Sequence, residues 1–163
     1  MMKTRIIHTP THPHTHTVPL IYSLKNRPSY NFGGGIHGGA MKRLAIIAHD
    51  GQKKEVLDFA RKHKERLEDY SLIGTKSTGT MLREALGLDV ETVLSGPVGG
   101  DAQIAAQVVV GEVAMVFFIV DPLDKHPHDP DIQTLLRACN VHNIPLATNL
   151  ATAALLLQAH DHN

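Results

Sequence analysis

From residue 41 onward, apolar and polar positions fall into regularly spaced blocks. "RLAIIA" is an unbroken apolar run of strand length, and "HDGQKKEVLDFARKHKERL" behind it repeats Val56, Leu57, Ala60 and Leu67 at helical spacing. "YSLIG" follows, then a Ser/Thr/Gly turn and the helical "TMLREALGL". "VETVLSG" pairs with "AQIAAQVVVGE", "VAMVFFIVD" with "DIQTLLRACNVH", and "IPLAT" with "NLATAALLLQAH". The pattern predicts five strands alternating with five helices. Strands that are apolar throughout must be covered on both faces. The expected fold is therefore a single doubly wound, three-layer αβα domain around a five-stranded parallel sheet.

That architecture says where to look for chemistry. Ligands of open parallel sheets bind beyond the carboxyl ends of the strands, near a topological switch point. The unusual polar residues sort to those ends: His49 and Asp50, residues 74–79, residues 95–101, residues 121–131, and Thr148 with Asn149. Scattered surface polarity would not gather in this way.

Two of these loops suit an oxyanion. "GTKSTG" offers the Thr75, Ser77 and Thr78 hydroxyls directly before a helix, where exposed N–H groups and the helix dipole favour negative charge. The simpler alternative is that Ser77 or Thr78 caps that helix. The GKS/T spacing of a Walker loop is absent. "LSGPVGGDAQ" adds Ser95 and Gly96, and Lys53 adds a cation one turn into the first helix. The second loop poses a question, because its two glycines end in Asp101. Either Asp101 caps the next helix, or a carboxylate is wanted beside a bound anion.

Asp50, Asp101, Asp121 and Asp131 come from four strand ends, with His49 and His128 among them. Singly, each aspartate reads as a helix cap. Together they read as an acid/base centre beside a phosphate pocket. The set has no HxH or HxxxH pair on a regular element, so no metal is expected.

Composition narrows the classes further. Formal net charge is zero, so no basic surface calls for a nucleic-acid partner. The longest apolar run, "VAMVFFIV", is far too short to span a membrane. The single Cys139 excludes an internal disulfide framework and fits a cytoplasmic location. Zero net charge hides an asymmetry: residues 1–40 carry four of the 16 basic residues and no acid. That segment is expected to be a disordered or non-native extension, with the domain over 41–163. "GGAM" at 38–41 is codable as a ribosome-binding sequence ahead of a start codon, which N-terminal sequencing of the native protein would test. His12, His14 and His16 lie in this segment with no carboxylate or Cys to complete a metal site.

"AHDGQKK", "GTKSTG", "LSGPVGGDAQ", "VDPLDKHPHDPD" and "IPLATNLAT", in that order, resemble the methylglyoxal synthase family over residues 41–157. The resemblance implies a cofactor-free homohexameric lyase that converts dihydroxyacetone phosphate, a phosphorylated triose, to methylglyoxal and inorganic phosphate. Phosphate is thus expected as product and inhibitor. A non-catalytic regulatory domain of the same fold is the alternative. By motif position, Asp101 matches the catalytic base and His128 the histidine that stabilises the enediol. His49, Lys53, Thr75, Ser77, Thr78, Ser95 and Gly96 match substrate-binding positions, and Asp50, Asp121 and Asp131 match supporting acids. Lys76 stands where the family usually has glycine, which leaves open whether that position needs a positive φ and whether Lys76 meets phosphate through its N–H or its ammonium group. The short ending "QAHDHN" also departs from relatives that continue further, which bears on subunit contacts and phosphate regulation.

Overall fold

The computed structural model describes residues 42–123 and 129–159. Five strands, β1 (Arg43–Ala48), β2 (Ser71–Thr75), β3 (Val90–Val93), β4 (Met115–Ile119) and β5 (Leu146–Ala147), form one sheet in the order β3-β2-β1-β4-β5. Every pairing is parallel, with Ile46 opposite Gly74 on one side of β1 and Phe117 on the other. The helices are α1 (Lys53–Lys62), α2 (Lys64–Leu67), α3 (Lys76–Leu86), α4 (Gly100–Val109), α5 (Asp129–His142) and α6 (Leu150–Gln158). The doubly wound αβα domain expected from the pattern is the fold observed.

The two-residue period of a strand explains the layers. Leu44, Ile46 and Ala48 of β1 face one side, where they pack with Val56 and Ala60 of α1, Leu82 of α3, and Ala153 and Leu157 of α6. Ala45 and Ile47 face the other, against Ile104 and Val108 of α4 and Leu135 and Cys139 of α5. Phe117 and Phe118 of β4 divide between the same two cores. Each fully buried Leu, Ile or Phe contributes about 1.5–3 kcal/mol relative to exposure. The unbroken apolar strands are thus the main source of stability.

Helix boundaries moved in ways that matter for the site. The first helix was expected straight through residue 67, but His63 (φ −112°, ψ 21°) separates α1 from α2. The ladder still runs past it, since the His63 N–H donates to Phe59 and the His63 carbonyl accepts from Leu67. The "KSTG" of "GTKSTG" is not a turn but the opening of α3. Extended Thr75 (φ −62°, ψ 151°) supplies the N-cap geometry that lets the helix start there.

Strand order reverses at β1, which has β2 on one side and β4 on the other. The switch point therefore lies between the carboxyl ends of β1 and β4, at His49 and Asp121.

Candidate active site

The β1–β4 junction is pinned through the main chain and one imidazole. The His49 N–H donates to the Ile119 carbonyl at 3.1 Å. Its ring is buried edge-on against Phe118, with centroids 5.1 Å apart at 90°. The Asp121 N–H donates to His49 Nδ1 at 3.0 Å. A backbone amide has only a donor to give, so Nδ1 is the acceptor and the neutral ring carries its proton on Nε2. His49 is thereby set as a hydrogen-bond donor through Nε2. Asp121 in turn holds its own loop, with Oδ1 accepting the Leu123 N–H at 3.0 Å. Asp50 opens the short 3₁₀ turn after His49, and its exposed carboxylate pairs with the Lys53 ammonium.

The next strand end places hydroxyl groups at a helix start. Thr75 closes β2 and Thr78 lies in the first turn of α3; both are buried. The Thr78 hydroxyl accepts from Thr75 Oγ1 at 3.2 Å and from the Ala48 N–H at 3.3 Å, and donates to the Ala48 carbonyl at 3.5 Å. It ties α3 to the end of β1 instead of capping its own helix. Ser77 and Lys76 are exposed at the same helix end, whose first turn contains no acid. Among the described residues the only non-glycine with positive φ is Asn143, so position 76 needs no glycine. The Lys76 N–H donates to the Leu94 carbonyl at 3.3 Å, which leaves the ammonium group as its means of meeting an anion. Helical Cβ atoms tilt toward the helix N-terminus, which sends the Lys76 side chain toward this edge.

The loop between β3 and α4 answers the question about Asp101. Gly99 is the N-cap of α4 with φ 96°, a left-handed conformation that favours glycine. Gly100 lies against the end of β3: a Cβ there would be 2.7 Å from the Leu94 carbonyl carbon and 3.0 Å from that of Ser95. The Ser95 carbonyl accepts the N–H groups of Val98 and Gly100, at 3.1 and 3.0 Å. Asp101 is consequently not the cap. It is the second residue of α4 and is fully buried, where the helix dipole favours a negative charge.

One contact had no counterpart in the motif reading. Gln103 Oε1 accepts the Leu94 N–H at 2.8 Å, reaching back from the first turn of α4. Its only sequence signal is an amide side chain shortly after a glycine pair at a helix start, a position from which side chains return to preceding backbone.

The remaining expected residues are placed as follows. Asp131 is half-buried in the first turn of α5, and His128 lies outside the described residues. The Thr148 carbonyl accepts the Val120 N–H at 3.3 Å, and Asn149 caps α6 by accepting the Thr152 N–H at 2.9 Å. Those two serve the backbone. His49, Asp50, Lys53, Thr75, Lys76, Ser77, Thr78, Ser95, Gly96, Asp101 and Asp121 share the carboxyl edge of the sheet. Among the described residues no group of three or more His, Cys, Asp or Glu side chains is arranged to hold a metal ion, and no helix is long and apolar enough to cross a membrane.

Residues 55–148 match the family model described as an MGS-like domain. The chain is 54% identical to a methylglyoxal synthase of Thermus thermophilus over 117 residues, covering 72% of this chain and 93% of that one. It is 48% identical to a methylglyoxal synthase of Clostridium botulinum over 116 residues, 71% of this chain and 98% of the relative. The crystal structure of methylglyoxal synthase from Elizabethkingia anophelis superimposes with a TM-score of 0.68 at 38% identity, covering 72% of this chain and 77% of that chain.

Proposed function

This chain belongs to the methylglyoxal synthase family, and we infer that it is a lyase converting dihydroxyacetone phosphate to methylglyoxal and inorganic phosphate. The observation that carries the site assignment is the buried Asp101, set at a helix start directly after the Ser95–Gly96 turn. A carboxylate is not kept out of water for solubility; burial costs free energy that a base aimed at a bound carbon can justify.

Asp101 is the base. It takes a proton from the hydroxymethyl carbon, and that electron pair forms the carbon–carbon double bond of an enediolate. The pair then expels phosphate from the carbon on the other side of the former carbonyl, breaking the C–O bond. The enol left behind takes up a proton and becomes methylglyoxal. A positioned base contributes about 10²–10⁴ in rate. His49, a donor through Nε2, and His128, assigned by motif alone, stabilise the developing oxyanion; one such donor is worth about 3 kcal/mol.

Phosphate is held by the exposed Ser77 hydroxyl, the start of α3, Ser95, Gly96, Lys53 and the Lys76 ammonium. Thr75 and Thr78 act from beneath, fixing the helix start that makes these contacts. Asp50 orients Lys53, Asp121 orients His49, and Asp131 supports the same edge from α5. No cofactor enters. The assembly is a homohexamer in the cytoplasm supplying a bypass of triose-phosphate metabolism, with phosphate as inhibitor; exposed apolar Val109, Val110 and Val141 support subunit contacts.

The experiment is to incubate the protein with dihydroxyacetone phosphate and quantify methylglyoxal and phosphate. Equal amounts of both support the lyase. Binding of the substrate without turnover would instead favour a non-catalytic domain that keeps only the phosphate pocket.

A further inference from the structure

The Leu94 peptide group joins three parts of the site. Its carbonyl accepts the Lys76 N–H from the start of α3 at 3.3 Å. Its N–H donates to Gln103 Oε1 of α4 at 2.8 Å. Gly100 lies against the same peptide so closely that no Cβ fits. On one side of this peptide stands the helix start that faces phosphate. On the other stands the turn of α4 that carries Asp101.

We propose that Gln103 is a positioning residue for the reaction, holding the Leu94 peptide so that Asp101 keeps its register with the phosphate loops. It rests on the lyase reading for its catalytic consequence, but the geometry is independent of that reading. Gln103 is itself exposed and lies two residues beyond Asp101 on the same helix turn. Ile104, Ala105 and Val108, not Gln103, pack α4 into the core. What the side chain supplies is a single acceptor to the end of β3. Without it the Leu94 N–H turns to water, and the start of α4 is tied to the end of β3 only through the Ser95 carbonyl and the Gly100 contact.

The chemistry makes a sharp distinction between two substitutions. Gln103→Met keeps the length and removes the acceptor. Gln103→Glu keeps an acceptor oxygen at the same reach, exchanging the amide donor, which this contact does not use, for a negative charge at an exposed position. Small misplacements are costly in proton transfer: a shift of about 1 Å lowers rates by the order of 10²-fold.

Both variants should be compared with the full chain by amide hydrogen exchange at Leu94 and by steady-state kinetics with dihydroxyacetone phosphate. In Gln103→Met, Leu94 exchange should quicken at least tenfold and kcat should fall by about 10- to 100-fold, with Tm lowered by less than about 5 °C. Gln103→Glu should restore slow exchange and most of kcat. Unchanged Leu94 exchange in Gln103→Met overturns the proposal whether or not the wild type is active. So does a Gln103→Met kcat within twofold of wild type, or a Gln103→Glu variant whose Leu94 amide exchanges as fast as that of Gln103→Met. A wild type that makes no methylglyoxal sinks the lyase reading instead, and the exchange comparison then still decides the contact.

Discussion

Gly100→Ala separates catalysis from stability more cleanly than any change to a polar side chain. An added Cβ would stand 2.7 Å from the Leu94 carbonyl carbon and closer still to its oxygen. Carbon atoms in good contact are about 3.5–4.0 Å apart, so the start of α4 must retreat by about 1 Å. Two stability terms oppose each other. Overpacking costs about 1–3 kcal/mol, while replacing glycine by alanine in a helix returns up to about 1 kcal/mol. The net loss is about 0–3 kcal/mol, a fall in Tm of several degrees at most for most of that range. Activity has no such compensation. Asp101 is the next residue and moves with the helix start, and about 1 Å of displacement costs on the order of 10²-fold in kcat. Gly87→Ala is the control. Gly87 has φ +66° with open space where a Cβ would go, so alanine there brings strain of about 1–2 kcal/mol and no displacement of the site. Methylglyoxal formation and thermal melts on both variants should show comparable Tm losses but very different kcat values. A Gly100→Ala enzyme with wild-type kcat would refute the argument that close approach of α4 to β3 sets Asp101.

Two other outcomes follow from the charges and the core. Lys76→Gly, the residue usual in the family, should raise KM for dihydroxyacetone phosphate by about fivefold, the worth of one exposed cation near an anion. It should also weaken the rise of KM with salt, and an unchanged KM and salt response would show that the ammonium group does not meet phosphate. Burial pushes the Cys139 thiol up to about 11 from an ordinary 9.0. The unfolded chain therefore loses this proton first, so the contribution is complete below pH 9 and is lost as pH rises toward 11. Each pH unit in that window removes about 1.4 kcal/mol. Urea unfolding should accordingly show a shallower alkaline decline for Cys139→Ala than for wild type, and equal slopes would contradict this.

The layers of the fold were legible because burial on both faces leaves the central strands β1 and β4 apolar from Leu44 to Ala48 and from Met115 to Ile119. "RLAIIA" and "VAMVFFIV" carry that signal without any partner needing to be known. The edge that bears the site was legible for the same reason: once the strands are fixed, polar residues at their carboxyl ends stand out. What each polar residue does there was less so. Thr78 read equally as a cap or an anion ligand, and only its contact with Ala48 of a different strand assigns it to holding the helix. The worry over Lys76 came from a family glycine, and it dissolves because position 76 is already helical. Gln103 escaped notice because its partner is a backbone amide on the preceding strand, and a sequence pattern marks side chains, not the amides they reach. The break at His63 was hidden too, since Phe59 and Leu67 keep the helical spacing across it.

The most direct measurement is the turnover of Asp101→Asn against wild type with dihydroxyacetone phosphate, alongside substrate binding by both. Asparagine keeps the shape and removes the base. The account predicts that wild type releases methylglyoxal and phosphate together, while the variant binds substrate within about threefold of wild type and turns over about 10²–10⁴-fold more slowly. An Asp101→Asn protein as active as wild type would contradict it.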